Sequence, residues 1–289
     1  MTSFNPPKAT PTTLTRAVRI FVTREVPVEG SVPSAHNTYA GFPSSDALGA
    51  WYEFEVSVWG VPERSSGYLA ALAELDRSVR KGVMPLLRTA LFCPGSEPSL
   101  SPSGLLTRMA EAVSHLLAPR LESLSFNLSP FHTYRWDHTM PRQTTLAAVF
   151  EFAASHRLND PTRSAAENQA FFGKCNKLNG HGHNYHLEVS VAVANENRFG
   201  MAQLEKIVDT TVIERFDHMN LNIDCPEFHA MNPSVEHIAA VCFDALCAPF
   251  AAAGVELRKV RLWETSKTSA TVEAASTAPS TSPSPTMVL

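Results

Sequence analysis

Several short stretches of this chain alternate apolar with polar residues, while others repeat apolar residues every three or four positions. Period-two alternation predicts strands over Leu146–Ala154, Asn184–Ala194, Glu256–Trp263 and Thr268–Glu273, since successive strand side chains point to opposite faces. Helical spacing is clearest in Met201, Leu204, Val208 and Val212, which predict a helix over Met201–Arg215. A second helix is predicted over Ser234–Ala251. In the first half, Leu69, Leu72, Leu75, Val79 and Val83 form a similar stripe.

These patterns repeat along the chain. Glu55-Val56-Ser57-Val58 returns as Glu188-Val189-Ser190-Val191, an offset of 133 residues, from 55 to 188. The same offset carries Gly49 onto Gly182, Gly67 onto Gly200 and Asp76 onto Asp209. Ser101-Pro102-Ser103 parallels Asn232-Pro233-Ser234, each opening a helix-like run with a serine suited to the N-cap. Each half therefore reads strand, strand, helix, helix, strand, strand, as an internal duplication with its boundary near His138–Thr144 would produce. The expected class is α+β, with an antiparallel sheet and two helices on one face of each unit. Residues 14–140 form the first unit and 141–273 the second, between an unstructured 1–13 and a 274–289 tail of Ala, Ser, Thr and Pro. Such units leave a sheet face and two edges open, so a homo-oligomer that closes the sheets into a ring is expected.

Composition narrows the function. Apolar residues make up 44% of the chain, and 28 acidic against 24 basic residues give a net charge of −4, without a nucleic-acid footprint or a polybasic membrane anchor. Five cysteines, with no Cys-x-x-Cys, fit a reducing compartment better than a disulfide framework. The first thirteen residues have no apolar core of signal-peptide length. The most apolar later stretch, 239–255, is interrupted by Asp244 and Pro249 and reads as too short to span a bilayer. A soluble cytoplasmic protein is the expectation.

The chemistry concentrates between Cys175 and Tyr185, at the entrance to the Asn184–Ala194 strand. His181 and His183, two apart, share one strand face and can reach one metal ion. A catalytic zinc usually takes three protein ligands and keeps one position open, and His156 is the best third candidate. Cys175 reads as a buried small hydrophobe, a fourth ligand or a reactive thiolate. Lys174, Lys177 and a nearby metal would lower its pKa, which suits a proton-abstracting base. Asp217-His218, at a helix end, reads equally as a capping histidine or as an acid/base pair. Glu264 interrupts an apolar strand and calls for a partner with paired N–H donors, whereas Glu236 suits a helix N-terminus simply by its charge. The first half lacks this set. The 133 offset lands His181 and His183 on Leu48 and Ala50, Cys175 on Phe42, and Asp217-His218 on Met84-Pro85; His36 is only a loose echo.

Taken together these residues resemble the 6-pyruvoyl-tetrahydropterin synthase and 6-carboxytetrahydropterin synthase family. The matching pieces are Phe-Ala-Ala-Ser-His156-Arg-Leu, Cys175-(five residues)-His181-Gly-His183-Asn-Tyr, Phe-Asp217-His218-Met-Asn-Leu, Pro233-Ser-Val-Glu236 and Trp-Glu264-Thr, across about residues 146–273. The resemblance implies a tunnelling fold (T-fold), in which ββααββ units assemble side by side into a barrel with active sites at unit interfaces; with the duplication, this chain would hold tandem T-fold units. It implies Zn2+ on His156, His181 and His183, Cys175 as base, Asp217 and His218 as paired acid/base, and Glu264 anchoring the amino-pyrimidine edge of a pterin, with Glu236 a further substrate contact. The implied substrate is 7,8-dihydroneopterin triphosphate and the product 6-pyruvoyl-tetrahydropterin, released with inorganic triphosphate. Arg157, Arg163, Lys174 and Lys177 lie near the motif and read either as contacts for the triphosphate or, by default, as solvated surface charge.

The carboxy enzyme of queuosine biosynthesis acts on the same substrate and releases acetaldehyde. Its members typically place three residues between the cysteine and His-Gly-His; the five here favour the pyruvoyl type. Members are usually single units of half this length, and His237 stands where an Asn often follows Glu236. An inactive pterin-binding or scaffold protein is the alternative from another class.

Overall fold

The computed structural model describes residues 10–24, 42–43, 48–93 and 101–275. His36, residues 1–9 and residues 276–289 lie outside them. The first half contains β1 (Thr12–Val22), β2 (Ala50–Gly60), α1 (Leu72–Phe92), α2 (Pro102–Ser114), β3 (Arg120–Ser129) and β4 (His132–Asp137). Thr12 and Thr13, expected in an unstructured leader, instead open β1 and pair with Gly60 and Trp59. The helical stripe was expected from Leu69, but α1 starts three residues later, after Ala71 in an extended conformation. For α2 the cap is Ser101, whose side chain accepts the Gly104 N–H, rather than Ser103, the position that parallels Ser234.

The second half has β5 (Gln143–His156), α3 (Ala165–Phe172), β6 (His181–Ala194), α4 (Met201–Val208), α5 (Glu214–Phe216), β7 (Met219–Asn220), α6 (Leu221–Asp224), α7 (Val235–Ala252), β8 (Glu256–Thr265) and β9 (Thr268–Glu273). The predicted helix Met201–Arg215 is divided by a π turn at Asp209–Ile213. Its sequence explains the break. Thr210, Thr211, Val212 and Ile213 are all β-branched, and Thr210 Oγ1 donates back to the carbonyls of Lys206 and Ile207. Ser234 caps α7 by accepting the His237 N–H. At 18 residues α7 is long and apolar enough to cross a bilayer, contrary to the shorter run read from composition. It buries Ile238, Ala239, Cys242, Leu246 and Phe250 in the core, as a helix packed on a sheet does.

All the strands join one sheet, in the order β1-β2-β3-β4-β5-β6-β8-β9, with antiparallel neighbours; β7 adds a short parallel pairing to β5. The protein is thus α+β. One face of the sheet supplies a single core running through both halves, from Val18, Phe54 and Leu124 to Leu146, Val189 and Leu262. The other is polar, with Arg19, Glu53 and Asn127 in one cross-strand row.

Two features of this sheet position the site. β5 and β6 pair without a register break from Gln143↔Ala194 to His156↔His181, which sets the histidine end of both strands at one corner. β4 stops pairing with β5 at Ala148, so the rest of that edge is free for other elements. β7 takes Ala154 and Ser155 there.

Candidate metal centre and active site

His156 lies directly across from His181, and Ala154 across from His183, so all three imidazoles project from the core face of adjoining strands. Gly180 closes the approach to this corner: at φ 66° it sits where a β-carbon would stand 2.5 Å from the His156 carbonyl oxygen. One nitrogen from each of the three histidines lies within 4.8 Å of the others.

Hydrogen bonding fixes the tautomer of His156. Its Nδ1 lies 2.6 Å from the Pro233 carbonyl oxygen, which only accepts, so Nδ1 carries the proton and Nε2 presents a lone pair. That lone pair faces His181 Nε2 at 3.2 Å. His156 is fully buried, and burial, reinforced by neighbouring His181, holds its pKa below the ordinary value against the opposing pull of the Pro233 carbonyl. Burial and then His183 do the same to His181. Neutral imidazoles are what a metal needs.

The Glu264 carboxylate, at the end of β8, completes the cluster. Its Oε1 lies 3.4 Å from His156 Nε2 and 3.6 Å from His183 Nε2. His183 Nε2 is buried and makes no hydrogen bond among the described residues. Ligands about 2.0–2.2 Å from a tetrahedral ion stand roughly 3.3–3.6 Å apart, so the spacings of 3.2, 3.4 and 3.6 Å suit a metal. The donor set therefore fits a divalent cation. The apolar strand around Glu264 predicts a ligand edge as its partner; in the structure its carboxylate turns onto the imidazoles.

Cys175 sits in a 3-10 turn, Gly173–Asn176, tied to the end of β5 where the Leu158 N–H donates to its carbonyl. The expectation of a lowered thiol pKa is reversed for the protein's own groups: burial, then the charge of Glu264, push it up. Lys174 and Lys177 do not overcome these two effects.

Asp217 and His218 dock on the β5 edge that β4 leaves free. Asp217 accepts the Ala153 N–H at 2.9 Å, and the His218 N–H donates to the Ala153 carbonyl at 2.6 Å. Asp217 Oδ2 lies 2.7 Å from His218 Nδ1, which orients the ring. The Ala153 N–H and then His218 hold the Asp217 carboxyl below its usual range. His218 has φ 60°, a conformation few non-glycine residues adopt, and its side chain is 82% exposed. It lines with His183 a shallow depression of about 250 Å3, to which Cys175 and Glu264 do not contribute.

Glu236 stays apart from the cluster. It is exposed in the first turn of α7, and its own backbone N–H and then Ser234 keep its carboxyl low. Tyr185, within the motif but not singled out from it, is fully buried two residues beyond His183, with its hydroxyl 3.5 Å from His156 Nδ1. The period of two that put His181 and His183 together also points to Tyr185. Neither the Pro233 carbonyl nor the Asn222 amide, which pairs with both the N–H and the C=O of Arg157, carries a sequence signal of its role.

Residues 145–275 match the family described as 6-pyruvoyl tetrahydropterin synthase. A human protein, 6-pyruvoyl tetrahydrobiopterin synthase, is 37% identical over 127 residues, which are 43% of this chain and 86% of the human one. The chain belongs to the 6-pyruvoyl tetrahydropterin synthase family. The Drosophila melanogaster protein of the same name is 42% identical over 98 residues, which span 32% of this chain and 58% of the fly protein. Among solved structures, the Caenorhabditis elegans 6-pyruvoyl tetrahydropterin synthase is 32% identical, with a TM-score of 0.43, covering 46% of this chain and 96% of that one.

Proposed function

We propose that this protein is a zinc-dependent lyase that converts 7,8-dihydroneopterin triphosphate to 6-pyruvoyl-tetrahydropterin with release of inorganic triphosphate. The observation that carries the reading is the convergence of His156, His181 and His183, within a region matched to this family. Bound zinc would act as a Lewis acid on the side-chain oxygens of the substrate and acidify the neighbouring C–H and O–H groups. His156, His181 and His183 would hold the ion, with His156 fixed by Pro233.

Cys175 serves as the base at the substrate side chain, and its raised pKa requires a nearby positive charge to reach the thiolate. The imidazole of His218, oriented by Asp217, passes the second proton. Because the His218 side chain points into solvent, its partner groups belong to a site completed by another copy, in keeping with assembly through sheet edges. Glu264 has two roles in this scheme: its carboxylate borders the metal ligands in the resting protein and receives the pterin's amino-pyrimidine edge when substrate enters.

The order of elements in each half supports a tandem T-fold, the first unit keeping scaffold without ligands. The free state of all five cysteines supports a cytoplasmic setting. The test is incubation of the zinc-loaded protein with dihydroneopterin triphosphate and separation of products by mass. Triphosphate with 6-pyruvoyl-tetrahydropterin is expected. Acetaldehyde instead would assign the carboxy reaction, and no triphosphate release with zinc bound would remove both.

A further inference from the structure

A cavity beside the histidine corner has no role in the scheme above. It encloses about 540 Å3, within the roughly 300–1,000 Å3 of small-molecule sites. Three of its wall residues are chain neighbours of the metal centre. Arg157 follows His156, Gly180 precedes His181, and Asn232 precedes Pro233, whose carbonyl holds His156. The cavity therefore borders the ends of β5 and β6, and it shares no lining residue with the depression that His183 forms with His218.

Its charge is unbalanced. The Arg157 guanidinium is half-buried and donates to the Asn176 carbonyl and the Asn159 amide oxygen, both neutral, so neither compensates its charge. The one carboxylate in the wall, Asp160, is engaged by Thr162 and Arg163. Further amides from Asn179, Asn220 and Asn222 add polar lining without negative charge. A partly buried cation with neutral partners in a roomy polar cavity is suited to an anion, and guanidinium groups bind phosphate oxygens through paired N–H donors.

We propose that this cavity is the subsite for the polyphosphate chain of the ligand, with Arg157 as its principal cation and Arg163 at its mouth. The identity of that ligand rests on the lyase reading above; the binding of a polyphosphate does not. A side chain held at the metal would direct its phosphates past His156 and His181 into this space, leaving the pterin ring on the Glu264 side. The cavity would then hold inorganic triphosphate after its release.

Calorimetric titration of the zinc-loaded full chain with inorganic triphosphate tests this without turnover. Binding to the wild type is expected, weakened roughly 10- to 100-fold in Arg157→Gln by loss of a charge-assisted contact. Because Arg157 also braces Asn159 and Asn176, a second variant is needed. Leu178, 81% exposed at the rim, can be changed to Glu without disturbing the core, and the new carboxylate should weaken triphosphate by several-fold. Both variants should bind phosphate-free neopterin as the wild type does. Absence of triphosphate binding by the wild type, or unchanged triphosphate affinity in Leu178→Glu, overturns the proposal. Triphosphate binding that responds to both variants in a protein without turnover upholds the subsite and removes the lyase reading alone.

Discussion

At the scale of single residues, the three histidines are not equivalent. His156 is buried and donates to Pro233, whereas His183 has a buried nitrogen with no hydrogen-bond partner among the described residues. Replacing His156 by Ala leaves the Pro233 carbonyl unsatisfied and opens a void, so metal-free protein should lose roughly 2–4 kcal/mol in urea unfolding as well as its metal. His183→Ala should lose the metal with little change in the stability of the metal-free protein. Equal stability losses in both would mean that the Pro233 bond contributes nothing. Cys175 gives a prediction in pH. Its pKa is raised in the metal-free protein, so at neutral pH it is a thiol, and alkylation by iodoacetamide should become fast only above the ordinary thiol value of 9.0. Zinc should move that profile to lower pH; a profile indifferent to zinc would remove the metal's part in activating the base. The triad was legible in the sequence because strand alternation places His181 and His183 on one face. The tautomer of His156 was not, since it depends on a backbone carbonyl 77 residues away.

At the scale of elements, strands and helices followed from apolar periodicity, and the departures trace to interactions that periodicity does not contain. The β-branched run at Thr210–Ile213 and the back-bonding of Thr210 turn one expected helix into α4, a π turn and α5. The π turn comes shortly before Asp217 and His218, which meet Ala153. Deleting Thr210 removes one residue from this segment; with the π turn kept, all that follows would rotate by about 100°, the turn of one residue. Hydrogen exchange at the His218 N–H should then speed up strongly, and kcat should fall by two or more orders of magnitude while circular dichroism stays near that of the wild type. Unchanged exchange at His218 would show that the docking does not depend on the length of this segment. Glu264 shows a similar gap: its place on an apolar strand was evident, but the bulge between Trp263 and Thr265 beside it was not.

At the scale of the whole molecule, repeated patterns revealed the order of elements in both halves, but nothing in them showed how the halves join. They share one sheet through β4 and β5, and a polar lock around Asn195 ties the first half's α2 to the second half. The Asn195 carbonyl accepts from Ser101 at 2.5 Å, its side-chain oxygen accepts from Thr107 at 2.9 Å, and its N–H donates to the Arg142 carbonyl at 3.1 Å. Thr144 on β5 adds a buried hydrogen bond to Ser103 on α2. Two halves joined by a continuous core and by this lock should unfold together, in one calorimetric transition. Asn195→Ala removes the side-chain acceptor of Thr107 but keeps the backbone bonds, and should cost about 1–2 kcal/mol. The sheet pairing of β4 with β5 remains in that variant, so the transition should shift downward and stay single. Two resolved transitions would mean that the lock, rather than the shared sheet, couples the first half to the half that holds the histidines.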